Sequence, residues 1–255
     1  MLQLLYAART GDSAVSHSIF QIFPKDELRL LSGCRFNVVS DWAFRIFMEE
    51  HERYETHKAN DIYRQISGMP KAASLWGYVF EQKVLHHIDT RGCNFEIRGL
   101  ASPGEITWRC PGPIRRYNFL HGPDFIREIT QAIKENTSLH LVPSVSNFEA
   151  VDSVLYSPNE VLTCIQTTVS GKHHISVPGL QRLQRWLGLK TPLAHLRPSS
   201  NRPWRFIFIV PPGDASTYEK QELTAKADTE SGEWDSKVHQ YVLGLDVLEK
   251  IPEPE

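Results

Sequence analysis

The chain has 255 residues, of which 41% are hydrophobic and 23% charged, with a formal net charge of -2. These values describe one large folded domain, or one with an appendage, and argue against a long disordered tail or a string of small modules. No apolar run approaches the roughly 18 residues of a membrane span, and the start offers only about seven residues before Arg9, short of a secretory leader, so the expectation is an intracellular protein.

In chain order, residues 1 to 70 alternate between helical and irregular patterning and form a helical N-terminal appendage in this reading. Asp41 is placed to cap a helix from Trp42 in which Phe44, Phe47 and Met48 fall at helical spacing. A second helical stretch, residues 59 to 66, stops at Ser67-Gly68-Met69-Pro70. From residue 72 to 88, Trp76, Val79, Phe80, Val84 and Ile88 define an amphipathic helix that Gly92 closes. Short strands are expected at 94 to 100, 106 to 110 and 117 to 120, separated by Gly/Pro turns, and a short helix at 123 to 134.

The stretches 150 to 156 and 161 to 169 are rich in β-branched residues and read as a hairpin. A basic helix follows at 178 to 187, with Leu180, Leu183 and Leu187 on one side, and then an apolar strand at 204 to 210. Strand, helix, strand implies a crossover. Residues 214 to 236 are charged and lack apolar periodicity, which predicts a mobile acidic segment, and 238 to 248 is apolar enough to dock back. The main domain is therefore bounded at 71 to 250.

Charge is segregated along the chain. Residues 161 to 213 contain no Asp or Glu, whereas Lys172, Arg182, Arg185, Lys190, Arg197, Arg202 and Arg205 give +7; residues 214 to 255 carry eleven acids against four lysines, a net of -7. Such segregation either marks a surface for an anionic partner or is mixed in space by folding.

Three polar side chains stand where apolar ones are expected. Glu81 sits mid-helix, Asp152 interrupts the strand AVDSVLY and Gln166 interrupts LTCIQTTV. A carboxylate buried alone is expensive, so Glu81 either needs a hydrogen-bond partner, a cation or a metal, or is a boundary residue pointing sideways to water. If the hairpin loop has an odd number of residues, for example Pro158-Asn159-Glu160 closing Ser157 on Val161, Asp152 lies opposite Gln166 on one face; a two- or four-residue loop puts them on opposite faces. Thr168 shares the face of Gln166 in either case. Converging carboxylate and amide oxygens suit a hard divalent cation, Mg²⁺ or Mn²⁺, which activates water for attack on a phosphodiester.

The motifs Gly77-Tyr-Val-Phe-Glu81, Val151-Asp152-Ser-Val-Leu, Ile165-Gln166-Thr-Thr168 and His173 come first. With the Pro178-Gly-Leu helix, the Ile-Phe-Ile-Val-Pro-Pro212 strand and Gln240-Tyr-Val-Leu, they resemble the C-terminal domain of Crinkler and retrotransposon-hot-spot (RHS) proteins. That family belongs to the restriction-endonuclease-like, PD-(D/E)xK, superfamily, and the resemblance covers residues 70 to 245. It implies an α/β fold with an αβββαβ core, a mixed central sheet flanked by helices, and a metal site at Glu81, Asp152 and Gln166. The superfamily's usual acid-x-lysine reads Gln166-Thr167-Thr168 here, so Lys172 or His173 would have to assist the water or the phosphate. Relatives commonly carry an upstream P-loop NTPase; here the only Gly-Lys, Gly171-Lys172, lacks the flanking residues of that loop.

The expected function is thus nucleic-acid binding, DNA foremost, through the segment from Lys172 to Arg205, with a metal-dependent nuclease site. The alternative is an inactive effector or interaction module with the same fold. The resemblance alone suggests a nuclear, host-directed setting. Trp186 and Trp204, near arginines, could stack on bases or pack in the core. The adjacent pairs His86-His87 and His173-His174 diverge too far to form a zinc site alone, and the four scattered cysteines are expected to be free thiols.

Overall fold

The computed structural model describes residues 20–24, 34–38, 73–101, 104–144, 148–188, 192–225 and 228–247. Packing divides the chain into two units, Met1–Gln82 with Leu248–Glu255, and Lys83–Val247. In the first, β1 (Phe20–Pro24) pairs antiparallel with β2 (Cys34–Val38). The helices expected at 42 to 52 and 59 to 66 lie outside the described residues.

Helix α1 (Ala73–Thr90) begins in the first unit and ends in the second. Trp76 and Phe80, one turn apart, bring their ring centroids to 5.6 Å, and in the second unit Val84, Leu85 and Ile88 are buried. Its last turn is closed by Thr90 Oγ1 donating to the His86 carbonyl and by the Arg91 N–H donating to that of His87.

The second unit is built on one mixed sheet. Its elements in order are β3 (Cys93–Gly99), β4 (Glu105–Cys110), β5 (Arg115–Phe119), α2 (Gly122–Glu135), β6 (Leu139–Pro143), β7 (Ser153–Tyr156), β8 (Thr163–Thr167), β9 (Ile175–Ser176), α3 (Val177–Leu187), β10 (Trp204–Val210), α4 (Pro212–Ala215), β11 (Leu223–Thr224), α5 (Asp228–Asp235) and β12 (Val238–Gly244). Eight strands lie in the order β4-β3-β12-β10-β8-β7-β6-β5, and β9 pairs with β11 in a separate small sheet. Strand β10 runs parallel to β8 and to β12, and β5 parallel to β6; the remaining neighbours in the large sheet are antiparallel. The expected crossover is present as β8, α3, β10.

The sheet must curl. In a flat sheet its edge strands β4 and β5 would be seven spacings apart, about 34 Å. Yet they are consecutive in sequence, and five peptide steps from Cys110 to Arg115 reach about 17 Å at most. The edges are drawn together, and the end of α1 sits beside them: the Ile114 N–H donates to the Asp89 carbonyl at 2.9 Å.

The central strands are buried on both faces, as their near-continuous apolar runs require. On one face Val154, Tyr156, Cys164, Phe206, Phe208 and Val210 share a core with Phe125 and Ile129 of α2 and with Leu180, Leu183 and Leu187 of α3. On the other, His140 alternates with the core residues Leu139 and Leu141 and meets Asp89 of α1 at 2.6 Å. Helices thus cover both faces.

Two expectations need correction. Strand β6 was not anticipated; its run Leu-His-Leu-Val before Pro143 is short and follows a helix directly. The segment 214 to 236 is not a structureless loop: it holds α4, β11 and α5, with Tyr218, Gln221, Leu223 and Trp234 buried. These anchors are single residues without period, so no window of the sequence reports them.

Candidate functional site

Strands β7 and β8 pair Ser153 with Ile165, Val154 with Cys164 and Leu155 with Thr163. Continued outward, this register sets Asp152 opposite Gln166 and Ser157 opposite Val161, so the connecting loop has the odd length. Its turn uses Asn159 at φ 64, a left-handed conformation asparagine tolerates, and the Glu160 N–H donates to the Ser157 carbonyl at 3.2 Å. At the other end the Asp152 N–H donates to the Ile165 carbonyl at 2.9 Å.

The Asp152 carboxylate accepts three hydrogen bonds. Gln166 Nε2 donates to both oxygens at 2.8 Å, and the Thr167 N–H donates to Oδ2 at 2.6 Å. Among the described residues no basic side chain forms an ion pair with it. Burial raises its pKa to about 6, against the opposing pull of the Thr167 N–H and the Gln166 amide. By the two-residue alternation, Asp152 and Gln166 extend the row of Val154, Cys164 and Phe208, on the face that carries α2 and α3. The start of α3 is close to them in the chain fold: Gly179 packs so tightly on Ala150 that a Cβ would lie 2.5 Å from the alanine methyl.

Thr168 follows directly. Its N–H donates to the Ile209 carbonyl, and its Oγ1 accepts from the Ser170 N–H at 3.0 Å, fixing the turn that leads to Lys172 and His173. Lys172 is exposed. His173 is half-buried, its N–H donates to Gln221 Oε1 at 2.7 Å, and burial together with His174 lowers its pKa, which favours the neutral imidazole.

Sequence reasoning missed the device that holds this loop. Gln221 and Gln240 exchange hydrogen bonds: the Gln221 N–H donates to Gln240 Oε1 at 2.8 Å and Gln240 Nε2 donates to the Gln221 carbonyl at 2.9 Å. Gln221 Nε2 in turn donates to the Gly171 carbonyl. Gln240 was detectable, because it interrupts an apolar strand as Gln166 does.

Glu81 is half-buried on α1 and belongs to the first unit, so the group assembled in the second unit is Asp152, Gln166 and Thr168 with the Lys172 loop. The basic residues do not make one continuous wall. Arg182 holds its guanidinium carbon 5.7 Å from the ring centre of Phe148, four residues before Asp152, and Arg185 is exposed one turn later. Arg197 donates to the carbonyl of Gln184, the residue before Arg185 on α3, and so is held by the backbone of that helix. Arg202 and Arg205 both bond Glu160, the first at its carbonyl and the second at its carboxylate, 3.1 Å each. That is the turn end of the hairpin, six residues or about 20 Å of extended chain before Gln166. Lys190 lies outside the described residues.

Trp204 is a core residue, 1% exposed, with Nε1 donating to the Leu196 carbonyl. Trp186 packs among Phe119, Phe125 and Phe148. His87 lies against Phe95 while His86 is exposed, and His174 faces Glu222 at 3.6 Å. Among the described residues no cluster of three or more His, Cys, Asp or Glu side chains is placed to hold a metal ion. Nor is any described helix long and apolar enough to cross a membrane.

Fold and site together define a mixed α/β domain with a half-buried carboxylate paired to a buried amide beside a basic helix. Neither a family model, nor a curated protein, nor a solved structure matches the chain.

Proposed function

We propose that the domain binds nucleic acid, DNA foremost, and hydrolyses phosphodiesters with Mg²⁺ or Mn²⁺ at Asp152 and Gln166. The observation that carries this reading is the half-buried Asp152 carboxylate, which has no basic partner among the described residues and whose ionised form is disfavoured by burial. A cation is the group that would stabilise the charge. The donor chemistry fits Mg²⁺, which takes hard oxygens, needs only one or two from the protein and keeps several waters. Asp152 Oδ1, which accepts from the Gln166 amide alone, keeps a lone pair for the ion, and Gln166 offers Oε1 by a half-turn of its amide.

When bound, the metal would lower the pKa of a water and polarise the phosphate. The chain's own residues do the rest: the neutral His173 accepts a proton, Lys172 meets the phosphate charge, and Arg182 and Arg185 hold the flanking backbone. The meander β6-β7-β8 followed by α3 and the parallel β10 supports a restriction-endonuclease-like core inside the larger sheet. A second reading has its own observation. Because Gln166 Nε2 satisfies both Asp152 oxygens, the pair is self-sufficient, as an interaction module without chemistry requires.

Plasmid nicking separates the two. The enzyme reading expects Mg²⁺- or Mn²⁺-dependent cleavage that falls by more than about tenfold in Asp152→Ala, since even outer-shell partners of a metal are worth that much. No cleavage by the wild type, or cleavage equal in the variant, leaves the interaction module. Binding is read separately by a salt titration, in which Arg182→Ala with Arg185→Ala should reduce the log–log slope by about 1 per lost phosphate contact.

A further inference from the structure

Away from Asp152, the ribbon of β3 and β4 ends on a pair of thiols. Cys93 opens β3, Cys110 closes β4, and the two are direct cross-strand partners, so their side chains share a face. Both are free; Cys93 is half-buried and Cys110 is 1% exposed. The two backbones stay together past the pair. A Cβ on Gly112 would lie 2.2 Å from the Gly92 nitrogen, a contact only glycine allows, and it keeps the thiols from splaying at the strand ends.

We propose that Cys93 and Cys110 form a dithiol site that small-molecule disulfides convert to a reversible cross-strand disulfide. The geometry decides its reversibility. The Gly99 N–H donates to the opposite Gly104 carbonyl at 2.9 Å, which makes that rung hydrogen-bonded. Rungs alternate, so Cys93 and Cys110, six residues along, also form a hydrogen-bonded rung. Its Cα separation of about 5.5 Å lies within the range of disulfides, while the Cβ atoms of such a wide rung, also about 5.5 Å apart, must approach to about 3.8 Å. Closing the bond therefore strains the ribbon, and a strained disulfide is readily reduced.

The reaction has two exchanges. The half-exposed Cys93 loses its proton and attacks one sulfur of the small disulfide, expelling the first thiol, which takes up a proton. Cys110 then loses its proton and displaces the second thiol from Cys93 in the same way. The two protein thiols lose two electrons and two protons, and the small disulfide gains both as two thiols. Burial foremost, with Cys93, Asp89 and Glu160 adding to it, pushes the Cys110 thiol up to about 12, which makes the second exchange the slow one.

The test uses the full chain and glutathione disulfide, with alkylation, tryptic digestion and mass spectrometry of the unreduced peptides 92–98 and 110–115. We expect a transient glutathione adduct on Cys93 followed by a link between the two peptides, with loss of alkylatable thiol at both positions. An excess of reduced glutathione should reopen it, and the circular dichroism of the folded chain should be unchanged throughout. Cys110→Ser should stop at the Cys93 adduct. A wild-type chain that keeps the adduct without closing, a link to another cysteine, or a bond that resists reduced glutathione would overturn the proposal.

Discussion

Asp152 has a pH signature that separates its charge from its packing. Its pKa is about 6 in the fold against 3.8 for an ordinary aspartate, so the folded chain binds this proton more tightly than the unfolded one. The sign follows: the protonated form stabilises the fold fully below pH 3.8, and that contribution is lost as pH rises through 6. Two pH units correspond to about 3 kcal/mol at most. Asp152→Asn keeps an oxygen for the Thr167 N–H, and Gln166 can turn its amide to meet the new one. The variant should therefore melt higher than the wild type at pH 7.5 without divalent ions, and equally with it at pH 4. Adding Mg²⁺ should raise the wild-type melting temperature at pH 7.5 and leave Asp152→Asn unmoved, a readout independent of catalysis. This pairing was legible in the sequence because side chains in strands alternate with period two, so a single choice of loop length brought Asp152 opposite Gln166. The setting of His173 was not, since it depends on Gln221, 48 residues further on, whose contact leaves no local pattern.

Among the elements, those that carry their own periodicity were readable: α1, the β7–β8 hairpin, the α3 crossover and β10 fall within a few residues of expectation. The acidic stretch failed because its helices are short and its order comes from elsewhere. Leu223 pairs with Ile175 across the small sheet, Trp234 lies 5.9 Å from Trp204, and Gln221 is tied to Gln240. That tie predicts a particular asymmetry. Gln240→Leu leaves the buried backbone N–H and carbonyl of Gln221 without partners and should cost about 1–3 kcal/mol in urea unfolding, whereas Gln221→Leu keeps those backbone bonds and instead releases the His173 N–H and the Gly171 carbonyl. Gln221→Leu thus frees the Gly171 to His173 segment, and proteolysis there should quicken in that variant before global unfolding does. At the start of α3, Ser176 Oγ accepts from the Gly179 N–H at 3.3 Å, and Ser176→Ala should cost about 1 kcal/mol on the same assay, as loss of an N-cap does.

The curl of the eight-stranded sheet is the property of the second unit that no segment could announce. Alternation tells which side chains share a face, and short turns tell which strands are neighbours in sequence, but neither says that β4 and β5 are opposite edges. Only the full strand order, set by the late strand β12 inserting between β3 and β10, makes the four residues between Cys110 and Arg115 a closing strap. Asp89 at the end of α1 is the fastening. Its carbonyl accepts from Ile114 in the strap, its Oδ1 meets Nδ1 of the fully buried His140 on β6 at 2.6 Å, and its Oδ2 meets Arg116 on β5 at 3.4 Å. His140 Nε2 already lacks a partner, so losing Asp89 would leave the ring without a single hydrogen bond. Asp89→Ala should therefore cost about 1–3 kcal/mol. The loss should also be unevenly distributed: amide exchange should rise first in Arg115–Phe119 and Leu139–Pro143, the edge that Asp89 pins, and leave Trp204–Val210 and Val238–Gly244 at the global rate. Replacing the pair together, Asp89→Leu with His140→Leu, removes the buried polar atoms along with their need for partners and should recover part of the stability. Equal acceleration across all eight strands in Asp89→Ala would mean that the curl is held by the core alone and that Asp89 is only one of its many contacts.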